Sequence, residues 1–507
     1  MPMTIRAKLL KKVVWGLLGL VGLWMCAGWG LALYCRLMTK SLPPVDDSDM
    51  YIEIPEVPDV ENAAAAFLAM TNLIQYTESD RRSLADCQMV NNEDASLRQT
   101  ATKDQMEKCR HAVDRVLGEH AKGLAELHRL AALSQYQLKF DAASKDRPPI
   151  ASMAWANMLW NLQSIRARER GELQSAFSSD CDSLKFFTRC RDNASGSVEM
   201  LAGCGLLRIV HQRLIRLAAA EGVSADLQAA LADLLRDDFD EQKTFEQMMK
   251  REYVRSCRSE LHEVETLHLG NRFLLLPKIP GMTVVRGFMV LPGFSGSFWR
   301  FAYNPELTRK NFASVCRACL TGKDSKEELE VLVPAPKSVF TPNWWGASVA
   351  RELTPASGDL RRTLKYSSFS CRAARVAIAV QRYRRAHGSK YPADLSELVP
   401  AFLDKVPQDP FAPARKLSYA PDREIVWTVG PDGDFDPLAE KVGTLSLSDR
   451  KMSKNAIRLD GKNHDPRPPR KVKKEKKPVD AQVGRPVARN KSHNRLAIPG
   501  PGLTNLS

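Results

Sequence analysis

The sequence predicts a mainly α protein: one N-terminal transmembrane helix, an extracytoplasmic helical bundle or irregular solenoid, a small α+β module and a disordered tail. Three observations predict it: an uncharged apolar run near the start, helix-period apolar stripes from Val60 to about residue 270, and a shift to short runs after residue 366. The 507 residues are 44% hydrophobic and 26% charged, enough for a real core and unlike a disordered chain. A formal net charge of +15 invites a nucleic-acid reading until it is divided by position. Residues 1–12 carry net +4, residues 450–507 carry net +12, and everything between carries −1. A neutral body with basic ends argues against nucleic acid as the partner of the folded part.

The run from Val13 to Cys35, VVWGLLGLVGLWMCAGWGLALYC, has no charged residue and is long enough to cross a hydrocarbon core of about 30 Å. Arg6, Lys8, Lys11 and Lys12 precede it, and Asp46, Asp47 and Asp49 follow it, so the positive-inside bias keeps the N-terminus in and sends the bulk out. A cleaved signal peptide would have a shorter apolar region ending in a small-x-small site. The segments in order are a basic cytoplasmic stretch at 1–12, a transmembrane signal anchor at 13–35 and a stiff polar spacer at 36–59.

A helical domain spans 60–270. Val113, Leu117, Leu124, Leu127 and Ala131 fall on one helix face, as do Met158, Leu162 and Ile165, and again Leu207, Val210, Leu214 and Leu217. Ser224 reads as the N-cap of a helix carrying Leu227, Leu231 and Leu234. Such stripes in succession call for antiparallel helices packed on one another. Residues 271–345 form an apolar connector broken by Pro277, Pro280, Gly281, Gly287, Pro292 and Gly293, either packed on the helices or resting as a hairpin on the membrane. Trp344 and Trp345 either extend that surface or fill the core.

Catalytic motifs fail on inspection. Gly293–Ser297 misses the final glycine of a nucleophile elbow, Gly322-Lys323-Asp324 lacks the rest of a phosphate loop, and His262-Glu263 meets Thr266 where a zinc helix needs its second histidine. Cys181 and Cys190 are the simplest disulfide to draw in an oxidising compartment. Cys316 and Cys319 form a lone CxxC, read as buried thiols or a structural bond ahead of a redox pair or half a zinc site.

The region 346–440 changes class. Val376, Val380 and Tyr383 mark a helix whose other face carries Arg375, Arg382 and Arg385 and which Gly388 ends. Tyr391-Pro392 opens a short helix with Leu395, Leu398 and Val399. Lys416–Ala420 and Glu424–Val429 flank Pro421-Asp422-Arg423 as a β-hairpin that runs into Gly430-Pro431-Asp432-Gly433-Asp434-Phe435-Asp436.

The ordered set AVQRYRRAHGSKYPADLSELVP, VPQDPF, LSYAPDREIVWTVG and GPDGDFD, within 366–437, resembles the C-terminal half of the type II secretion major pseudopilin and related type IV pilin-like proteins. The whole arrangement is similar to uncharacterised bacterial membrane-anchored proteins that end in this module. The resemblance implies a pseudopilin-like fold and a calcium loop at Asp432, Asp434 and Asp436, whose alternate carboxylates can converge on a hard cation. The other reading of those residues is an acidic turn in which Gly433 supplies a positive φ and no ion binds. No Gly-Phe-x-x-x-Glu processing site precedes the apolar run, so filament assembly is not implied.

From 441 to 507 apolar periodicity ends, and a Pro-, Lys- and Arg-rich tail is expected to be disordered. These features describe a bacterial inner-membrane protein, single-pass, with its N-terminus cytoplasmic and its bulk periplasmic. Its expected role is that of a non-enzymatic scaffold or interaction protein. The alternatives are a hydrolase-like envelope enzyme and an accessory component of a type II secretion or pilus-like apparatus. Expected partners are the lipid bilayer, other envelope proteins and, for the tail, anionic lipid or envelope polymer rather than nucleic acid.

Overall fold

Helical periodicity becomes structure from residue 63 onward. The computed structural model describes residues 45–53, 56–85, 102–138, 150–235, 239–258, 302–323, 325–336, 341–352, 357–433 and 456–459, with shorter pieces within 15–37. In chain order the helices are α1 (Ala63–Met70), α2 (Glu78–Ala85), α3 (Lys103–Glu119), α4 (Ala121–Ala132), α5 (Ile150–Glu169), α6 (Leu173–Asp192), α7 (Ser197–Ala219), α8 (Ala225–Leu234) and α9 (Glu241–Arg258). Then follow α10 (Pro305–Leu320), α11 (Lys326–Leu332), α12 (Trp344–Glu352) and α13 (Ser357–Ala386).

Local rules explain the helix ends. Thr102 and Gln105 close a capping box on α3, and Ser325 with Glu328 does the same for α11. Ser224 accepts from Leu227 N at 3.1 Å, the N-cap its sequence position calls for. Gly388, at φ 63°, lets the chain turn off the end of α13. The stripe expected to form one helix over 113–131 instead belongs to two, because helical geometry breaks at His120 (φ −101°, ψ 15°), where α3 ends and α4 begins.

Two cores result. The first gathers α1–α8 with most of α13 around Trp160, Phe186, Phe187 and Phe67, whose contacting rings lie 5.2–5.9 Å apart in tilted and edge-on pairs. Leu207, Val210, Leu214 and Leu217 all face it. Helices α6 and α7 approach closely at Gly203, where an added Cβ would stand 3.0 Å from the Arg191 backbone N. The second core joins α9, α10 and α12 through Phe245, Met249, Tyr253, Phe312, Cys316 and Ala350. Helix α13, 30 residues and therefore about 45 Å long, serves both: Leu360 and Leu364 enter the second core, Phe369 to Val380 the first.

The predicted hairpin is present as β1 (Ser418–Ala420) and β2 (Ile425–Trp427), antiparallel with Tyr419 opposite Val426. A third strand, β3 (Ala456–Arg458), pairs with β2 and sets Ile457 opposite Val426, in the order β1-β2-β3. This corrects the expectation of a disordered tail from 441. Ile457 and Leu459 are buried against α13, and Gln381 Nε2 donates to the Leu459 carbonyl at 3.0 Å. The spacer at 36–59 needs a similar correction. Met50 is buried in the second core, Tyr253 donates its hydroxyl to Asp47, and Arg309 holds the same carboxylate at 3.0 Å.

The transmembrane helix and signal anchor expected over 13–35 are not met. No helix among the described residues is long and apolar enough to cross a membrane. The fold class is therefore mainly helical with a small three-stranded sheet. Residues 271–301 of the expected connector and most of the tail lie outside the described residues, while the rest of that connector, 302–345, carries α10, α11 and the start of α12.

Candidate functional site

Asp432 lies on an exposed turn beside Gly433 (φ 76°), whereas Asp434 and Asp436 lie outside the described residues. No group of three or more His, Cys, Asp or Glu side chains among the described residues could hold a metal ion. The cysteines among the described residues are thiols. Cys181 and Cys190 sit on the same helix without a bond between them, which corrects the proposed disulfide. Nine residues apart on one rigid helix, they cannot reach one another. Cys316 and Cys319 are buried side by side in the second core, and burial pushes the Cys316 thiol far up, away from the reactive thiolate.

The groups best suited to proton chemistry are ones that motif reading passed over, and they line the contacts between helices. His120, at the α3–α4 break, holds Nε2 3.3 Å from both Asp80 oxygens and Nδ1 3.4 Å from the Leu73 carbonyl. Burial acts to raise Asp80, but donation from Thr77 and the His120 contact outweigh it and hold the carboxyl below its usual range. His128 on α4 brings Nδ1 to 2.6 Å from Asp182 on α6 and Nε2 to 2.9 Å from Gln163 Oε1 on α5. The Asp182 hydrogen bond raises His128 above its ordinary value against the effect of burial. His211 on α7 meets the Ser370 hydroxyl of α13 at 3.0 Å, and burial drives it down to about 3, so it is neutral near pH 7.

The deepest charges are Arg213 on α7 and Asp180 on α6, both fully buried with Nε and Oδ1 2.9 Å apart. That contact is out of line for a hydrogen bond, so the pair is electrostatic there. The remaining valences are used: Arg213 donates to the Asn157 carbonyl and Oδ1, each at 3.1 Å, and to Ser183 Oγ at 2.8 Å, while Ser164 donates to Asp180 at 2.9 Å. Burial raises Asp180 and lowers Arg213. Glu199 in the first turn of α7 is likewise enclosed, accepting from Tyr136 at 2.5 Å and from Ser195 N and Oγ at 2.7 and 2.9 Å.

The arginine face of α13 is no solvated stripe. Arg385 donates to the Ala220 carbonyl at 2.9 Å and to that of Val223, beyond the end of α7. Arg361 donates to the Cys319 carbonyl near the end of α10. Arg372 pairs with Glu241 of α9 at 3.4 Å. Basic side chains at helix C-termini satisfy carbonyls that have no partner within the helix and meet the negative end of the dipole.

Comparison with protein-family models, curated proteins and solved structures finds no match for this chain.

Proposed function

We propose that this chain is a helical scaffold whose role is to present surfaces to other macromolecules. The observation that carries the reading is the use made of its ionisable groups. His120 and His128 each have both ring nitrogens facing acceptors on neighbouring elements, and Asp180, Arg213 and Glu199 are enclosed by internal partners. A general base needs a nitrogen or oxygen free to take a substrate proton. In these positions the same groups instead fix the angles between helices. Val198 and Ile209, 60% and 42% exposed on the outer face of α7 with Leu201 between them, supply apolar contact surface.

A photo-crosslinking residue at Leu201, compared with one at exposed Glu221, tests the reading in cells that make the protein. A scaffold gives discrete crosslinked species at 201 that Val198→Glu abolishes while the circular dichroism is unchanged. Equal, diffuse labelling at both positions contradicts it. The order of a long helix, a short 3-10 turn at Leu395–Leu398 and a three-stranded antiparallel sheet supports a second reading, an accessory component of a secretion or pilus-like apparatus. Crosslinks to pilin-like subunits from Tyr391 favour that reading, and their absence removes it.

A further inference from the structure

We propose that His128 is a proton-operated clamp that holds α4 against α5 and α6. At His128 one imidazole on α4 bridges two further helices, with Asp182 of α6 on one nitrogen and Gln163 of α5 on the other. Its side chain is 29% exposed and that of Asp182 19%, so solvent protons reach the site. Two acceptors on opposite edges of an imidazole call for the doubly protonated ring.

Loss of the Nε2 proton to solvent leaves a ring lone pair facing Gln163 Oε1 until that amide turns. In either amide orientation, the charge paired with Asp182 is gone. The other ionisable groups around the ring do not replace it. On α6, Arg189 lies within reach of the Asp182 charge but donates to the Ala131 carbonyl at 2.9 Å. On α4 itself, Glu126 and Arg129 pair with each other at 2.7 Å. Helix α1 has no ionisable side chain, and those of α3 face elsewhere: Asp114 to Arg166, Arg110 to Glu169, Arg115 to Glu119 and His111 to Glu107.

The sign follows from the raised value. A base that titrates higher folded than unfolded contributes stability that is complete below about 6.5 and lost as pH rises through the folded value. Helix α4 buries Leu124, Leu127 and Leu130 in the cluster that also holds Cys109 of α3, so its loosening opens that cluster to solvent.

The test is pulsed N-ethylmaleimide labelling of the full chain, read by peptide mass spectrometry at pH 6 and pH 9. Each rate is divided by that of the urea-unfolded chain at the same pH, to remove thiolate chemistry. The expected result is a rise of about tenfold at Cys109, the loss of one charge-assisted hydrogen bond, with Cys316 in the second core unchanged. His128→Gln removes the pH dependence at Cys109, and Asp182→Asn does the same by the other half of the pair. A flat Cys109 ratio in the wild-type chain overturns the proposal, as does a parallel rise at Cys316, which would mean global opening.

Discussion

Replacing Arg213 by methionine tests how far the first core depends on its buried charges. Methionine fills much of the arginine volume but donates nothing. It therefore leaves the fully buried Asp180 carboxylate without its counter-charge, and Asn157 and Ser183 without the donors at 3.1 and 2.8 Å. Removing one member of such a pair costs about 3–5 kcal/mol, because the survivor keeps its desolvation penalty. Asp180→Leu combined with Arg213→Met removes both charges and is expected to cost less than either single change, coming within about 1–2 kcal/mol of wild type. Urea unfolding followed by circular dichroism and by the fluorescence of buried Trp160 measures all four proteins. The single variant also carries a pH signature. Asp180 is already raised by burial, and without Arg213 it rises further, so the folded state holds a proton that the unfolded state releases. The deficit of Arg213→Met is thus greatest near neutrality and shrinks on acidification. A single variant within about 1 kcal/mol of wild type, or a double variant as unstable as the sum of the singles, refutes the reasoning.

Other outcomes follow from the same geometry. Leu459→Ala should cost about 2–5 kcal/mol, seen as early proteolysis within 391–433, since Leu459 is fully buried under β3. Asp47→Ala should cost about 1–3 kcal/mol by stranding the Tyr253 hydroxyl, whereas Asp46→Ala, whose carboxylate accepts only from exposed Ser48, should be nearly neutral in the same melt. His211 titrates near 3 folded against 6.5 ordinarily, so it contributes stability above pH 6.5 that is lost on going down toward 3. A urea series from pH 7 to 4 should therefore show a shallower decline for His211→Phe than for wild type.

What the sequence made legible was repetition. Leu207, Val210, Leu214 and Leu217 read as one face and are one face, and Ser224 reads as a cap and is one, because these signals are local. The buried charges left a signal too. Arg213 sits among Val210, Leu214 and Leu217, and Asp180 lies one turn from Leu184, so each is an ion at an apolar-face position. Which ion meets which depends on helices crossing in space, and spacing alone does not encode that. The break at His120 was hidden because apolar spacing continued across it with no proline, and the flanking Gly118 and Gly123 both lie inside the helices. Strand β3 was hidden for the opposite reason: Ala456–Arg458 is three residues in a basic stretch, and only β2 makes it a strand. The Asp46–Met50 segment looked like a spacer because its partners lie far along the chain.

That distance has a consequence for the order of assembly. Asp47 is fixed by Arg309, 262 residues later, and Asp49 by Arg317, 268 later. During synthesis the first acidic clamp cannot close until α10 has left the ribosome, by which time α1–α8 can already have packed locally. The helices in between become a ring tied off at one knot of carboxylates and guanidinia. A nascent chain stopped before Tyr253 lacks both the hydroxyl and the guanidinium that hold Asp47.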